Sequence, residues 1–234
     1  MKLYQFSLSP FAIKVRVGFA LKGVAVELVD VTLERYAELL RLNPRAKAPV
    51  LVDGETVIPD STAILEWLEA RTPAPPLVPA DPARRARTLL LEDWSDESLY
   101  WIGTYFQFCV PEHAARTREV YVRRYPGPVG EQLAAQILEN LREQAHRQGT
   151  GRKPCDEVER DLARHAGMLQ ALLANAQYFG GAAPDLADCA LYGQARYLAR
   201  TREGAALVAP APLAAWFARM HRHDPSGLTE EPYA

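Results

Sequence analysis

The chain has 234 residues and a mass of 26.0 kDa, and its 48% of hydrophobic residues can build a substantial core in one large or two small domains. A formal net charge of -2 and a pI near 6.2 provide no general attraction to phosphate backbones or anionic lipid. No apolar run approaches membrane-spanning length and the N-terminus lacks a signal-peptide block, so we expect a cytoplasmic protein with neither nucleic acid nor membrane as partner. The three widely spaced cysteines form no disulfide framework and no CxxC pair.

Strands and helices alternate in the first part of the chain. Strands are predicted at residues 3–6 and 24–29, and helices at residues 10–22 and about 36–42. Ser9 suits the N-cap of the first helix, Pro10 its first position and Gly23 its end. Two rows of apolar side chains run along this helix at i, i+4, i+8 spacing, so we expect it to be covered on two sides.

A β-hairpin is predicted next. Apolar runs at residues 50–52 and 56–58 flank Asp53-Gly54, a dipeptide that suits the positive φ values of a type I′ turn. Asp60 and Ser61 follow immediately before a helical pattern over residues 63–69, where one of them can serve as N-cap. The hairpin therefore delivers a polar pair to the start of a helix.

This element order is typical of a thioredoxin-like α/β domain. Because a helix joins the first two strands, we expect them to be parallel and adjacent with a right-handed crossover. Residues 72–82 contain five prolines and cannot continue a helix or a central strand. We therefore predict a thioredoxin-like N-terminal domain at residues 1–75, a linker, and an all-α helical C-terminal domain at residues 83–234.

The second half of the chain shows helical periodicity. Helices are predicted at residues 83–108, 129–148, 155–176, 185–201 and 213–221. Asp185 and Asp188 occupy the N-cap and N3 positions of the fourth of these helices, which is a variant of the capping box. This pair indicates a role in folding and not in chemistry.

Four motifs in chain order resemble the glutathione transferase superfamily in its serine-type form. Ser9-Pro10-Phe11 is similar to the start of that family's active site, and residues 43–51, NPRAKAPVL, to its NPxGKVPVL segment. Asp60-Ser61 is similar to its acidic-Ser pair, and residues 184–188 to its C-terminal capping motif. The chain departs from the family at Ala46, where glycine is usual, and at Ala48, where valine is usual. The resemblance spans both predicted domains and implies the glutathione transferase fold.

The resemblance implies that Ser9 is the catalytic hydroxyl, which stabilises the thiolate of the co-substrate glutathione. A serine at a helix N-terminus can do so through its hydrogen bond and through the positive end of the helix dipole. An ordinary N-cap needs the same residue at the same place, and the spacing alone does not separate the two roles. Ser7 is the substitute if the alignment is displaced.

The other glutathione contacts are also implied by the resemblance. A cis bond before Pro49 turns the Ala48 backbone toward the peptide, although the sequence alone favours trans. Ser61 binds the γ-glutamyl carboxylate at the mouth of its helix, with Asp60 near the γ-glutamyl ammonium; capping is the alternative role for this pair. Lys47 faces the glycine carboxylate, whereas most exposed lysines are simply solvated.

The same resemblance implies a pocket between the domains for a small hydrophobic electrophile. The aromatic candidates for this pocket are Phe11, Tyr100, Tyr105 and Phe108, with Trp101 and Phe106 beside them. Aromatic side chains at helical spacing more often belong to a core. The histidines show no ligand spacing on one helix face, so no metal is expected. The family is usually dimeric, which implies a homodimer active in detoxification.

Two other functions compete with glutathione conjugation. Residues 91–101 and 149–153 have some likeness to metaxin-like and Fax-like relatives, which leaves a non-catalytic binding or interaction module of the same fold as the alternative. Thiol–disulfide exchange needs a cysteine near position 9, where this chain has serine.

Overall fold

The structure, a computed structural model, describes residues 1–125 and 127–225 except for the side chain of Arg124. Its only sheet within those residues has four strands in the order β2-β1-β3-β4. The strands are β1 (Lys2–Gln5), β2 (Glu27–Asp30), β3 (Val50–Asp53) and β4 (Thr56–Ile58). β1 pairs parallel with β2 and antiparallel with β3, and β3 pairs antiparallel with β4. The predicted parallel pairing of the first two strands is confirmed.

The described chain also contains eleven α-helices, joined by turns and loops. They are α1 (Pro10–Leu21), α2 (Tyr36–Leu42), α3 (Ser61–Arg71), α4 (Pro82–Trp94), α5 (Tyr100–Cys109), α6 (Pro111–Arg124), α7 (Pro128–Gln148), α8 (Cys155–Leu173), α9 (Leu186–Leu198), α10 (Arg202–Val208) and α11 (Leu213–His221). A thioredoxin-like α/β part followed by a helical part is the predicted fold class. The boundaries 1–75 and 83–234 stay a prediction, and residues 226–234 lie outside the described residues. In the described part of the chain, none of the helices has the length and apolar character needed to cross a membrane.

Helix α1 is covered on two sides, as its two apolar rows predict. Nine of its twelve residues are buried, so little of its surface reaches solvent. A Cβ atom at Gly18 would lie 2.4 Å from the Leu65 side chain of α3. A Cβ atom at Gly193 of α9 would lie 2.4 Å from the carbonyl oxygen of Pro10. Glycine at these two positions lets α3 and α9 approach α1 closely, so α1 joins the sheet to the helical part.

The hairpin is confirmed, but its turn differs from the predicted type. Asp53 pairs with Thr56, so the loop consists of Gly54 and Glu55. Gly54 has φ of 60°, whereas Asp53 and Glu55 do not have positive φ. Positive φ at the first central residue alone is the pattern of a type II′ turn, which requires glycine there. The predicted turn was therefore wrong in type, which is II′ and not I′. Its position was also wrong by one residue, because the central residues are Gly54 and Glu55 and not Asp53 and Gly54.

The long helix predicted at residues 83–108 contains a π-helical segment. α4 ends at Trp94, residues Ser95–Leu99 are π-helical, and α5 begins at Tyr100. A π-helical turn contains an extra residue and frequently occurs at functional sites. This one carries Asp96 and Glu97, whose position is described below.

The predictions omit two helices, α6 and the shorter α10. α6 is mostly exposed, with His113 and Ala114 as its buried side chains among those described, so it shows little apolar periodicity. Its start signals are Pro111 at the first position and Glu112 in the first turn. These signals were available in the sequence and mark its N-terminus correctly.

The predicted capping box at the start of α9 is confirmed, and it does more than cap the helix. Oδ1 of the buried Asp188 accepts hydrogen bonds from the Phe179 backbone N–H (2.9 Å) and from Trp216 Nε1 (2.7 Å). Its Oδ2 accepts from the backbone N–H groups of Gly180 (2.9 Å) and Asp185 (3.0 Å). Burial and the charge of Asp185 raise the pKa of Asp188 to about 7, and the backbone hydrogen bonds oppose this shift.

Replacing Asp188 by asparagine is expected to destabilise the fold strongly. The new NH₂ group cannot accept, so two buried donors lose their partner, and the free energy of unfolding should fall by about 2–4 kcal/mol in urea titrations. Asp156→Asn at an exposed position of α8 is the control and should leave that value nearly unchanged. Equal stability of the two variants would contradict this account of Asp188.

Ala46 is the non-glycine residue of the described chain with a left-handed backbone, at φ of 56°. It stands where the family segment has glycine. Ala46→Gly removes a steric strain of about 1–2 kcal/mol from the folded state. It also makes the unfolded chain more flexible, which offsets about 0.5–1 kcal/mol of that gain. We expect a net gain of about 0.5–1 kcal/mol in the free energy of unfolding. Ala135→Gly, at an exposed position within α7, should instead lower it by about 0.5–1 kcal/mol; losses of similar size at both positions would be inconsistent with strain at Ala46.

Candidate functional site

Two arginines hold the loop between β1 and α1, which carries both candidate serines. The buried Arg16 donates from Nη1 to the carbonyl oxygen of Ser7 at 3.1 Å. Arg200 donates from Nη2 to the carbonyl oxygen of Leu8 at 3.0 Å. Ser9 then donates its backbone N–H to the carbonyl oxygen of Phe6 at 2.9 Å. The loop is therefore fixed through its backbone, and its side chains are available for other contacts.

Ser9 is the N-cap of α1, as predicted, with an extended backbone at φ -68° and ψ 131°. Its hydroxyl makes no capping hydrogen bond to the described backbone, and its half-buried side chain lines a large cleft. The capping role therefore leaves the hydroxyl unused at the positive end of the α1 dipole. Ser7 lines the same cleft, and its buried Oγ has no hydrogen-bond partner in the described chain. Because both serines line the cleft, their location alone does not show which of them could contact a bound thiol.

A second helix N-terminus, that of α3, opens on a smaller cleft of about 210 Å³. Asp60 Oδ1 accepts a hydrogen bond from the backbone N–H of Ala63 at 2.9 Å, so Asp60 is the cap. The buried Ser61 at the first helical position is then left to line the cleft. Of the predicted pair, Asp60 therefore caps the helix and Ser61 does not.

The segment between α2 and β3 contributes to the walls of both clefts. The Ala48–Pro49 peptide bond is cis, which is the isomer that the family resemblance implies. Ala48 and the exposed Lys47 line both clefts, and Pro49 lines the smaller one. Phe11 of α1 also lines both. Because the clefts share these residues, they are adjacent, and we refer to the two together as the groove. The groove is lined by Ser9, Lys47, Ala48, Pro49, Asp60 and Ser61.

The larger cleft has a volume of about 670 Å³, and eight aromatic side chains contribute to its wall. Its aromatic lining residues are Phe6, Phe11, Tyr36, Tyr100, Trp101, Tyr121, Tyr125 and Tyr197. The ring centroids of Phe11 and Tyr100 are 5.0 Å apart, and both predicted side chains lie in this wall. Tyr105 and Phe108 do not line it: both are buried farther along α5, where the Tyr105 hydroxyl donates to the Lys153 carbonyl oxygen at 3.3 Å. At that level α7 and the turn before α8 cover α5, which explains why these two side chains do not reach the cleft.

Sequence reasoning missed the wall that α2, α6 and α7 contribute. The Tyr125 hydroxyl, at the end of α6, donates to the carbonyl oxygen of Val31 at 3.2 Å and closes one side of the cleft. The α7 lining residues are Leu133, Gln136, Ile137, Asn140, Leu141 and Gln144. Their i, i+4, i+8 spacing was visible in the sequence, but nothing in it indicated which partner that face of α7 meets.

A buried ionic cluster forms part of the groove wall, because Thr62, Glu92 and Asp96 line the smaller cleft. Lys14 of α1 is fully buried and donates to Asp96 Oδ2 at 2.6 Å and to Thr62 Oγ1 at 2.9 Å. It also forms an ion pair with Glu92 of α4, which accepts a hydrogen bond from the Thr62 hydroxyl at 2.6 Å. The cluster therefore connects α1 with α3, α4 and the π-helical segment.

The charges in this cluster shift each other's pKa values. Burial acts to lower the pKa of Lys14, but the charges of Asp96 and Glu92 outweigh it and leave that pKa above its ordinary value. Burial raises the pKa of Asp96, and Lys14 opposes that rise. Lys14 thus keeps a positive charge inside the protein at neutral pH and stabilises the ionised form of the carboxylate that lines the groove.

Replacing Lys14 by methionine is expected to leave two carboxylates without their cation. Breaking a buried ion pair by removing one partner costs about 3–5 kcal/mol, so we expect a loss of about 3 kcal/mol in the free energy of unfolding at neutral pH. Without Lys14 the folded-state pKa of Asp96 rises further above its unfolded value. The loss should therefore be smallest at acid pH and grow as pH rises.

Thermal and urea unfolding of Lys14→Met over a pH series measures this effect. Arg160→Met removes the cation of an exposed pair with Asp156 and is the matched control, with little change expected at any pH. A Lys14→Met loss that does not vary with pH would show that lost packing and not unpaired charge is responsible.

The fold and the groove define a class of protein in which a thioredoxin-like sheet and a helical part share a site at two helix N-termini. A family model described as glutathione S-transferase, N-terminal domain, matches residues 3–76, and one described as glutathione S-transferase, C-terminal domain, matches residues 131–219. The chain belongs to the glutathione S-transferase superfamily.

Several curated proteins are similar to parts of this chain. It is 36% identical over 120 residues to the stringent starvation protein A homolog of Coxiella burnetii, covering 51% of this chain and 57% of that protein. It is 46% identical over 90 residues to glutathione S-transferase 1 of Dianthus caryophyllus, covering 37% and 41%. It is 40% identical over 94 residues to maleylacetoacetate isomerase of Pseudomonas aeruginosa, covering 37% and 44%. The chain spans about half the length of the curated relatives it matches.

Solved structures are similar over nearly the whole chain. Glutathione S-transferase III in its apo form has a TM-score of 0.66 at 23% identity, covering 100% of this chain and 99% of that one. A holo structure of maleyl pyruvate isomerase, a bacterial zeta-class glutathione S-transferase, has a TM-score of 0.60 at 25% identity, covering 99% and 100%. These likenesses support the fold. Among the described side chains, no group of three or more His, Cys, Asp and Glu could hold a metal ion.

Proposed function

We propose that this protein is a glutathione-dependent enzyme in which Ser9 stabilises the glutathione thiolate. The observation that supports this most is the groove that connects two helix N-termini, one with an unused serine hydroxyl and one with a buried serine. Two such N-termini suit a ligand that carries negative charge at two separated points. Glutathione, with a thiolate and a γ-glutamyl carboxylate, is a ligand of that kind.

In this proposal the tripeptide lies along the groove with its two ends at different helices. Ser61 binds the γ-glutamyl carboxylate through its hydroxyl and backbone N–H, with Asp60 near the ammonium group. The backbone of Ala48 pairs with the peptide beside Pro49, and Lys47 faces the glycine carboxylate. Each of these contacts fixes the sulfur relative to Ser9, which is the contribution that positioning makes to rate.

The proposed reaction is addition of the glutathione thiolate to an electrophilic carbon of a small hydrophobic substrate. The thiol gives its proton to solvent, and the Ser9 hydroxyl donates a hydrogen bond to the remaining negative sulfur. With a substrate that carries a leaving group, such as a chlorinated aromatic ring, the sulfur lone pair forms the new S–C bond at the ring carbon, and the carbon–chlorine bond then breaks with its electrons going to chloride. A free thiol with a pKa of about 8.5 is mostly protonated near neutral pH. By stabilising the thiolate, Ser9 increases the fraction of glutathione in its nucleophilic form.

Ser9→Ala is expected to reduce kcat/KM for 1-chloro-2,4-dinitrobenzene by about ten- to a hundred-fold, the effect of losing one hydrogen bond to a charged group. The pKa of bound glutathione, from its ultraviolet thiolate absorbance, should rise in the same variant. Ser7→Ala is the matched control because both serines line the cleft. Full turnover in Ser9→Ala with a loss in Ser7→Ala would transfer the role to Ser7.

Retention on immobilised glutathione separates the enzyme from the alternative of a non-catalytic binding or interaction module. An intact fold without retention or turnover supports the module. We also propose that the protein is a cytoplasmic homodimer active in detoxification, which extends the family's usual properties to this chain; sedimentation velocity tests the oligomeric state.

A second candidate reaction is glutathione-dependent isomerisation of a maleyl substrate. The names of two similar proteins, maleylacetoacetate isomerase and maleyl pyruvate isomerase, favour it. The assay is turnover of maleylacetone with and without glutathione, and an isomerase should lose that turnover when glutathione is omitted.

A further inference from the structure

Several aromatic rings in the wall of the larger cleft pack against one another. Tyr100 stacks against Tyr197 with ring centroids 5.7 Å apart and an interplanar angle of 17°, and it contacts Trp101 edge-on at 5.1 Å. Phe11 lies against the same tyrosine. These rings come from α1, α5 and α9, so packing around α1 holds them in place. A cleft of about 670 Å³ lies within the range that encloses a drug-sized molecule.

Three primary amides line the cleft along α7. Gln136, Asn140 and Gln144 follow each other at four-residue spacing and are exposed. At 1.5 Å rise per residue, the row is about 12 Å long, which is similar to the length of two fused aromatic rings with a substituent. Each amide offers both donors and an acceptor without any charge. Such a row can recognise neutral oxygen or nitrogen groups on an extended ligand.

The charged groups of the cleft disfavour an anionic substrate. Of the described side chains that line it, the charged ones are Lys47, Asp96 and Glu97. Lys14 is shared between Asp96 and Glu92, so it offsets only part of their charge. Lys47, Asp96 and Glu97 also line the smaller cleft assigned above to glutathione. Glu97 is exposed and has no ion-pair partner among the described residues. A substrate that carries carboxylates therefore meets an uncompensated like charge beside bound glutathione.

We propose that this cleft takes an uncharged, flat aromatic substrate with neutral hydrogen-bonding groups, that the α7 amides recognise those groups, and that Glu97 discriminates against carboxylates. The reaction of this substrate rests on the proposed glutathione chemistry, whereas its recognition by the cleft does not. It selects conjugation of an oxygen- or nitrogen-substituted aromatic compound over isomerisation of a maleyl dicarboxylate.

Three unreactive probes with one ring system test the inference without turnover. They are naphthalene-2-carboxamide, its near-isosteric anion 2-naphthoate, and the apolar 2-isopropylnaphthalene. Binding is followed by the quenching of tryptophan fluorescence, because Trp101 lines the cleft. At low salt the parent protein should bind the carboxamide at least about ten-fold more tightly than 2-naphthoate, and Glu97→Gln should reduce that ratio by about two- to five-fold.

Asn140→Leu tests the amide row. It should weaken carboxamide binding by about three- to ten-fold and leave 2-isopropylnaphthalene bound equally or more tightly. Gln132→Leu is the matched control, since Gln132 is an exposed α7 amide that does not line the cleft, and it should change neither affinity. Circular dichroism confirms that each variant is folded.

Two results would overturn the inference: 2-naphthoate binding as tightly as the carboxamide, or the same carboxamide to isopropyl ratio in Asn140→Leu as in the parent. Glutathione retention is measured on the same proteins. Retention without the predicted selectivity contradicts this inference alone. Selectivity without retention supports the inference and contradicts the proposed glutathione function.

Discussion

Helix α1 is the constraint on which the site depends. Its N-cap is Ser9, and the close approach of α3 and α9 at Gly18 and Gly193 buries it on two sides. Because α1 cannot move relative to either neighbour without breaking that packing, the position of its N-terminus is determined by the core. The same packing sets the distance between the α1 and α3 N-termini. A groove that is to hold both ends of a small peptide needs this distance to be fixed.

The ionic cluster extends that constraint to the wall of the groove. Lys14 projects from α1 toward Asp96 and Glu92, so the π-helical segment and α4 are tied to the same helix that presents Ser9. Buried ion pairs are weak contributors to stability compared with apolar packing, but they specify orientation because an unpaired alternative is costly. We infer that the cluster fixes the position of the π-helical segment, and with it the positions of the carboxylates of Asp96 and Glu97. Asp96 is held by Lys14, whereas Glu97 is exposed.

Local patterns in the sequence predicted most of the fold, and the family resemblance indicated the residues that line the smaller cleft. Ser9 with Pro10, the hairpin, and Asp60 with Ser61 each depend on a few adjacent residues, and local rules describe such features well. The larger cleft depends on contacts between distant segments, which a single sequence does not reveal. Tyr105 lies one helical turn after Trp101 on the same face of α5, and the cover provided by α7 and the turn before α8 separates their environments. Helix α6 was missed for a related reason, since a mostly exposed helix has little apolar periodicity.

A crystal structure with glutathione bound tests the central claim most directly. The account predicts the glutathione sulfur within hydrogen-bond distance of Ser9 Oγ and the γ-glutamyl carboxylate at the backbone N–H of Ser61, with the peptide passing Ala48. It would be contradicted by glutathione bound in the opposite direction along the groove, or by a groove that stays empty at saturating glutathione.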